Sequence, residues 1–221
     1  MKLLSKIIPT AITCLVLLVS VGCKPEKSGN SDRLPFFNTA ELTPEWIAPE
    51  SPEYNTIHKI PEFSLVNQEG ATITREFFKD KIYVADFFFA TCPGICPMLT
   101  NNMKKLQEEF EGDHDILLVS HTVMPERDSV PVLKRYAADN GVLGNKWQLL
   151  TGDKEVVYNL ARKGYYADRE FAVTKDTSAF VHTENFVLID KKGRIRGVYN
   201  GTLEMDTRRL IRHIKTLKKE K

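Results

Sequence analysis

Ile82–Pro97 reads IYVADFFFATCPGICP, and the architecture of the chain follows from it. Ile82–Ala90 is a nearly unbroken apolar run, the pattern of a central strand buried on both faces rather than one alternating between core and water. Cys92-Pro93-Gly94-Ile95-Cys96-Pro97 follows, rich in residues that interrupt regular structure. Beyond it Leu99, Met103, Leu106 and Phe110 recur at three- and four-residue spacing, which predicts a helix over Met98–Phe110. Proline fits the first helical turn and disrupts an interior, so Pro97 puts the regular start near Cys96 or Pro97. The unit is strand, turn, helix, with two cysteines on the turn.

Downstream the alternation continues. Asp115–Ser120 predicts a second buried strand, and a helix over about Ser129–Asp139 ends at Asn140-Gly141, where glycine accepts a left-handed cap. Trp147–Leu150 reads as a short strand and Asp153–Arg162 as a helix with Asp153 near its start. Phe186–Asp190 and Ile195–Tyr199, separated by Lys191-Lys192-Gly193-Arg194, read as a hairpin. An amphipathic helix over about Asp206–Lys218 closes the chain. This order predicts an α/β domain with a central mixed sheet flanked by helices. A cysteine pair at the end of the first central strand is the arrangement of a thioredoxin-like fold.

Upstream of His58 neither period is sustained. Residues 24–57 carry Pro25, Pro35, Pro44, Pro49 and Pro52 among serine, asparagine and glutamate, the composition of a tether. Phe36, Phe37 and Trp46 indicate that its second half packs. At the start, basic Lys2 and Lys6, an apolar stretch from Ala11 to Val21 and Gly22 before Cys23 make the layout of a secretory signal. The Gly-Cys ending resembles a bacterial lipoprotein signal, in which the cysteine is lipidated and the preceding segment removed; Ser20 stands where that pattern usually has Leu, Val or Ile. Retained uncleaved, the stretch is a marginal membrane span because of its length and Pro9. Either outcome exports the domain and tethers it. The expected organisation is a signal peptide at 1–22, a lipid anchor and tether at 23–57 and one thioredoxin-like domain at 58–221, on the periplasmic side of the bacterial cell envelope.

With 221 residues, 42% hydrophobic and 27% charged, the chain suits one well-buried domain with appendages and excludes a disordered or collagen-like class. Its formal charge is only +2, and the basic excess gathers in Arg208, Arg209, Arg212, Lys215, Lys218 and Lys219, read as a solvated helix face. No aromatic platform or reader motif accompanies it, so no nucleic-acid partner is expected.

Of four cysteines, Cys14 lies in the apolar stretch and Cys23 at the lipidation position, leaving Cys92 and Cys96 in the folded part. One pair cannot build a disulfide scaffold, and its place in a Pro/Gly turn at a strand end points to chemistry rather than packing. Amide N–H groups and the dipole at a helix start favour thiolate, so Cys96 is expected to ionise readily. The Cys-x-x-x-Cys spacing lets both sulfurs converge on an ion or on each other, leaving metal and disulfide chemistry open. A third ligand decides. His182 lies just before the strand Phe186–Asp190, in the loop that a thioredoxin-like topology returns beside the cysteine turn, where thioredoxins carry a proline and this chain carries none. Two thiolates and one imidazole form a soft, low-coordinate set that favours Cu(I) and keeps Cu(II) accessible. Structural zinc takes a fourth protein ligand, and none is evident. His121, at the end of the second buried strand, falls on the same rim; hydrogen bonding to the following loop is its expected role and an auxiliary metal role the alternative. Met98 and Met103 fit a helix face, with core filling expected.

Thr91-Cys92-Pro93-Gly94-Ile95-Cys96-Pro97, Pro125-Glu126-Arg127-Asp128-Ser129-Val130-Pro131-Val132-Leu133 and His182 ahead of its strand resemble the Sco/SenC family of copper proteins, over about Ile60 to Leu217. His182 stands 86 residues beyond Cys96, the order of separation the family shows. The resemblance implies copper held by Cys92, Cys96 and His182, received from a donor protein and delivered to the binuclear copper centre of cytochrome c oxidase subunit II or another copper acceptor. It also implies a redox-active Cys92–Cys96 pair, disulfide-bonded when oxidised and able to reduce the target's cysteines. The family's usual Val-Asp-Pro after the second strand is here Val123-Met124-Pro125, so no role of that aspartate carries over. The alternative function is a membrane-tethered thiol–disulfide oxidoreductase with no obligatory metal, an enzyme rather than a metallochaperone.

Overall fold

The structure, a computed structural model, describes residues 33–176 and 183–220. The expected signal segment, Cys14, Cys23 and His182 lie outside the described residues. In chain order the strands and helices are β1 (Phe36–Phe37), β2 (Pro44–Glu45), β3 (Ser64–Asn67), β4 (Thr72–Thr74), β5 (Ile82–Phe88), α1 (Cys96–Glu109), β6 (Ile116–Thr122) and α2 (Val130–Asn140). β7 (Trp147–Thr151), α3 (Lys154–Asn159), α4 (Arg169–Thr174), β8 (Asn185–Ile189), β9 (Ile195–Asn200) and α5 (Glu204–Leu217) complete it. β1 and β2 form a small antiparallel pair, and the remaining strands form one sheet in the order β4-β3-β7-β6-β5-β8-β9. β5, β6 and β7 are parallel; the outer neighbours run antiparallel.

Every residue of β5 is buried, Asp86 included, as its nearly unbroken apolar run predicts, because helices or loops cover both faces. Side chains alternate across the strand. Val84 and Phe88 pack with Cys96, Leu99 and Met103 of α1, Leu133 of α2 and Leu210 and Ile214 of α5. Tyr83, Ala85 and Phe87 join Phe63, Phe78, Val157 and Tyr165 on the other face. α1 lies close to the β9–α5 turn because Gly201 has no side chain; a Cβ there would come within 2.7 Å of Phe186 and Leu99. Asn102 of α1 donates to the Gly201 carbonyl at 2.7 Å, fixing the helix that carries Cys96. α2 ends at Gly141 with φ of 67°, the left-handed cap predicted for Asn140-Gly141.

Two expectations change. The helix predicted over Asp153–Arg162 stops at Asn159 and gives way to one wide π turn, Leu160–Gly164, closed by the Tyr165 N–H donating to the Leu160 carbonyl at 2.7 Å. The wide turn carries Arg162 inward, where its Nε donates to the buried Asp168 carboxylate at 2.9 Å. Residues 33–57, the outer part of the expected tether, are also built into the domain. Phe36 is 2% exposed, with the Arg196 guanidinium 4.2 Å from its ring centre and that of Arg194 at 4.7 Å. Arg196 also donates to the Leu34 and Pro35 carbonyls and pairs with Glu220, joining this arm to β9 and the end of α5. Trp46, by contrast, is exposed. No helix among the described residues is long and apolar enough to cross a membrane.

Candidate functional site

β5 delivers the chain to the cysteine turn. The Cys92 N–H donates to the Phe89 carbonyl at 3.2 Å, and the Met98 and Leu99 N–H groups donate to the Ile95 carbonyl, opening α1 with Pro97 in its first turn. Both cysteines are free thiols, Cys92 half-buried and Cys96 4% exposed. With Phe88, Phe89, Ile95 and Thr183 they line an apolar cavity of about 240 Å³. The turn is held from beneath by Asp128, 1% exposed, whose carboxylate accepts from the Ala90 N–H at 2.9 Å and from the Thr122 hydroxyl. Thr122 Oγ1 accepts in turn from the Met124 N–H at 3.1 Å, so the loops after β5 and β6 are fastened together.

The two thiols are not equivalent. Burial pushes Cys96 up to about 12, reinforced by its hydrogen bond to Cys92. Burial also works against ionisation of Cys92. Hydrogen bonds from the Cys96 thiol and from the amides of Cys96, Gly94 and Ile95 outweigh it and hold Cys92 below the ordinary thiol range. The sequence placed the favoured thiolate at Cys96; the amides of the helix start instead serve Cys92, while Cys96 faces the core. Asp86 lies on the same face of β5 as Phe88, 2% exposed and with Oδ1 unpartnered. Burial raises its carboxyl to about 7 despite a hydrogen bond from Ser120, and its charge adds to the upward push on Cys96.

His121 departs from expectation. It stands opposite Phe87 in the β5–β6 register and points to the face away from α1, among Phe63, Phe87 and Tyr165. It is fully buried with neither ring nitrogen bonded, and burial lowers its pKa to about 3. Its ring stacks on Phe87, which itself lines the cysteine cavity, but the imidazole is not among the cavity's lining side chains and makes no bond to the loop to which it was expected to bond. Met98 is 47% exposed rather than core-filling, whereas Met103 is fully buried. Cys92 and Cys96 are brought together, and Thr183, the chain neighbour of His182, lines their cavity. Among the described residues no group of three or more Cys, His, Asp or Glu side chains is arranged to hold a metal ion. Asp86 and Asp128 were not singled out from the sequence. A lone carboxylate inside an apolar strand is a usable signal for Asp86; Asp128 stands in the Pro125–Leu133 stretch that resembles the Sco/SenC family, but no local pattern shows that its carboxylate turns inward to hold the cysteine turn.

Residues 51–219 match the profile of a family described as SCO1/SenC. The chain belongs to the SCO1/SenC family. A SCO1 protein homolog of Bacillus subtilis is 30% identical over 146 residues, 65% of this chain and 75% of that protein. A solved SCO1/SenC family lipoprotein from Bacillus anthracis has a TM-score of 0.63 at 30% identity, covering 73% of this chain and 96% of that one. Yeast Sco1 with copper bound shares the fold, with a TM-score of 0.54 at 22% identity over 70% of this chain and 91% of that one. The mixed sheet of seven strands flanked by helices is the thioredoxin-like fold of Sco structures. SCO1/SenC proteins take part in copper assembly of cytochrome c oxidase.

Proposed function

We propose that this SCO1/SenC protein carries copper on Cys92, Cys96 and His182 and delivers it to the binuclear site of cytochrome c oxidase subunit II. The observation that carries the reading is the pairing of two free thiols in one cavity that Thr183 also lines, next in sequence to His182. The donor chemistry suits the cargo: thiolates prefer soft Cu(I), and an apolar surround disfavours hydrated, hard cations. Cys92 enters as the readier thiolate and Cys96 loses its proton on binding, so loading releases protons. Transfer proceeds by ligand exchange, with Cys92, the more exposed thiol, presented first to incoming thiolates. Residues 1–22 act as a signal and Cys23 as a lipid attachment point, holding the domain to the outer side of a bacterial membrane. Competition with a coloured Cu(I) chelator tests the ligand set. The expected result is loss of at least about a hundredfold in affinity in Cys92→Ala and Cys96→Ala and a smaller loss in His182→Ala. Equal affinities in all four proteins would exclude it.

The split between the thiols also favours a second activity, reduction of a target's cysteine pair. Cys92 attacks the target disulfide, and Cys96 then displaces the reduced target as the Cys92–Cys96 disulfide forms. This activity is expected to survive both His182→Ala and a copper chelator in an insulin-type disulfide reduction assay; loss in either would assign the pair to metal alone.

A further inference from the structure

We propose that the end of the domain opposite the cysteine turn docks on an anionic lipid bilayer. The proposal rests on the tethered reading of residues 1–23 above. β5 runs from Ile82 toward the cysteine turn and β8 runs back beside it, so Ile82 and the turn Asp190–Arg194 share the far end, about 20 Å from the cysteines for a strand of this length. At that end Arg33, Lys191, Lys192 and Lys218 line one concavity together with Arg194 and Arg196. Its two carboxylates, Asp190 and Glu220, are bound by the buried Arg194 and Arg196, which leaves the charge of the other four uncancelled within it. Lys191 and Lys218 pair at the surface with Asp115 and Asp113. Such exposed pairs contribute little in water and exchange readily for lipid phosphates. An adjoining concavity adds Lys59 and Lys79 beside Lys191 and Lys192, facing Glu76 and Asp80. The opposite end contrasts: Phe87–Met103, spanning the cysteine turn and the first turns of α1, contains no charged residue.

Connectivity selects the bilayer as the occupant. Arg33, the first described residue, belongs to the basic end, and only residues 24–32 separate it from Cys23. Nine residues span about 17 Å as flexible coil and roughly 30 Å fully extended. A lipid on Cys23 therefore keeps this end within reach of the headgroups, where exposed Lys and Arg are drawn to anionic lipid. The docked domain presents its cysteine turn away from the bilayer, toward an acceptor.

The test uses the full chain in nanodiscs of phosphatidylcholine alone or with phosphatidylglycerol, probed with an amine-acetylating reagent and read by mass spectrometry. Acetylation of Lys191 and Lys192 is expected to slow about fivefold or more in the anionic discs and to recover in ~0.5 M salt, which screens surface attraction. Lys154, at the cysteine end, is expected to react equally in both. A Lys191→Glu/Lys192→Glu variant remains on the discs and loses the lipid-dependent protection of Lys218. Equal acetylation of Lys191 and Lys192 in the two lipids, or equal protection of Lys154, overturns the proposal. Failure of the full chain to stay on phosphatidylcholine discs overturns the tether instead, and protection on anionic discs then still measures the basic end.

Discussion

At the scale of single residues, two buried titratable groups make the fold sensitive to pH in opposite directions. Asp86 carries a carboxyl raised by burial from 3.8 to about 7. A raised folded pKa means that its favourable contribution is complete below the unfolded value and is lost as pH rises through about 7. In reduced, metal-free protein, Asp86→Asn is therefore expected to gain on the wild type by a few kcal/mol between pH 5 and pH 8 in urea unfolding. A difference that stays constant with pH would contradict this. His121 is depressed by burial to about 3, so its contribution is present above the ordinary histidine value and lost as pH falls through the acid range. His121→Phe removes two unpartnered ring nitrogens from an aromatic cage. It is expected to stabilise by about 1–2 kcal/mol at pH 7 and by more at pH 4. Destabilisation at both pH values would show that the imidazole has a partner of its own. Asp86 was detectable as a lone acid in an apolar strand; the partnerless state of His121 was not, because hydrogen-bond satisfaction depends on what the sheet brings to it.

At the scale of elements, the cysteine turn is only as firm as the loops beneath it. Asp128 fastens the Ala90 N–H to Thr122, hence the end of β5 to the end of β6. Asp128→Ala leaves the buried Thr122 hydroxyl and the half-buried Ala90 N–H without their acceptor and is expected to cost about 1–3 kcal/mol and to weaken Cu(I) binding; Asp128→Asn, which keeps one acceptor, is expected to cost less. An alanine variant within about 0.5 kcal/mol of wild type in denaturant melts would remove Asp128 from this role. The elements that flank the site were legible because their periods are strong. Ile82–Phe88 is apolar but for Asp86, α1 repeats its core residues at helical spacing, and Gly141 marks where α2 stops. The β3–β4 hairpin was not legible. Its strands are four and three residues long, too short for alternation to stand out. The π turn after α3 is likewise set by tertiary contact, with Gly164 against Pro61 and Arg162 drawn to Asp168, neither of which a local pattern encodes.

At the scale of the whole molecule, Phe36 and Phe37 signalled that part of the proline-rich segment packs, but not that residues 33–57 are built into the domain or where they dock. Their anchorage is long-range: Phe36 lies beneath two guanidinium groups of the β8–β9 hairpin, and Arg196 ties Leu34 and Pro35 to Glu220. Phe36→Ala is expected to cost about 3–5 kcal/mol in thermal or denaturant unfolding, as a buried aromatic does; a cost below about 1 kcal/mol would return this arm to the tether. The candidate site was legible in its two cysteines, whose turn is a sequence feature. Which thiol ionises was not, because the answer lies in three backbone amides and the depth of the Cys96 pocket. The central claim, copper held by two sulfurs and one imidazole, is met most directly by X-ray absorption of the Cu(I)-loaded protein. The expected spectrum shows two sulfur scatterers and one imidazole nitrogen, the nitrogen shell disappearing in His182→Ala. A wild-type spectrum unchanged by His182→Ala, or one with sulfur ligands alone, would contradict the account.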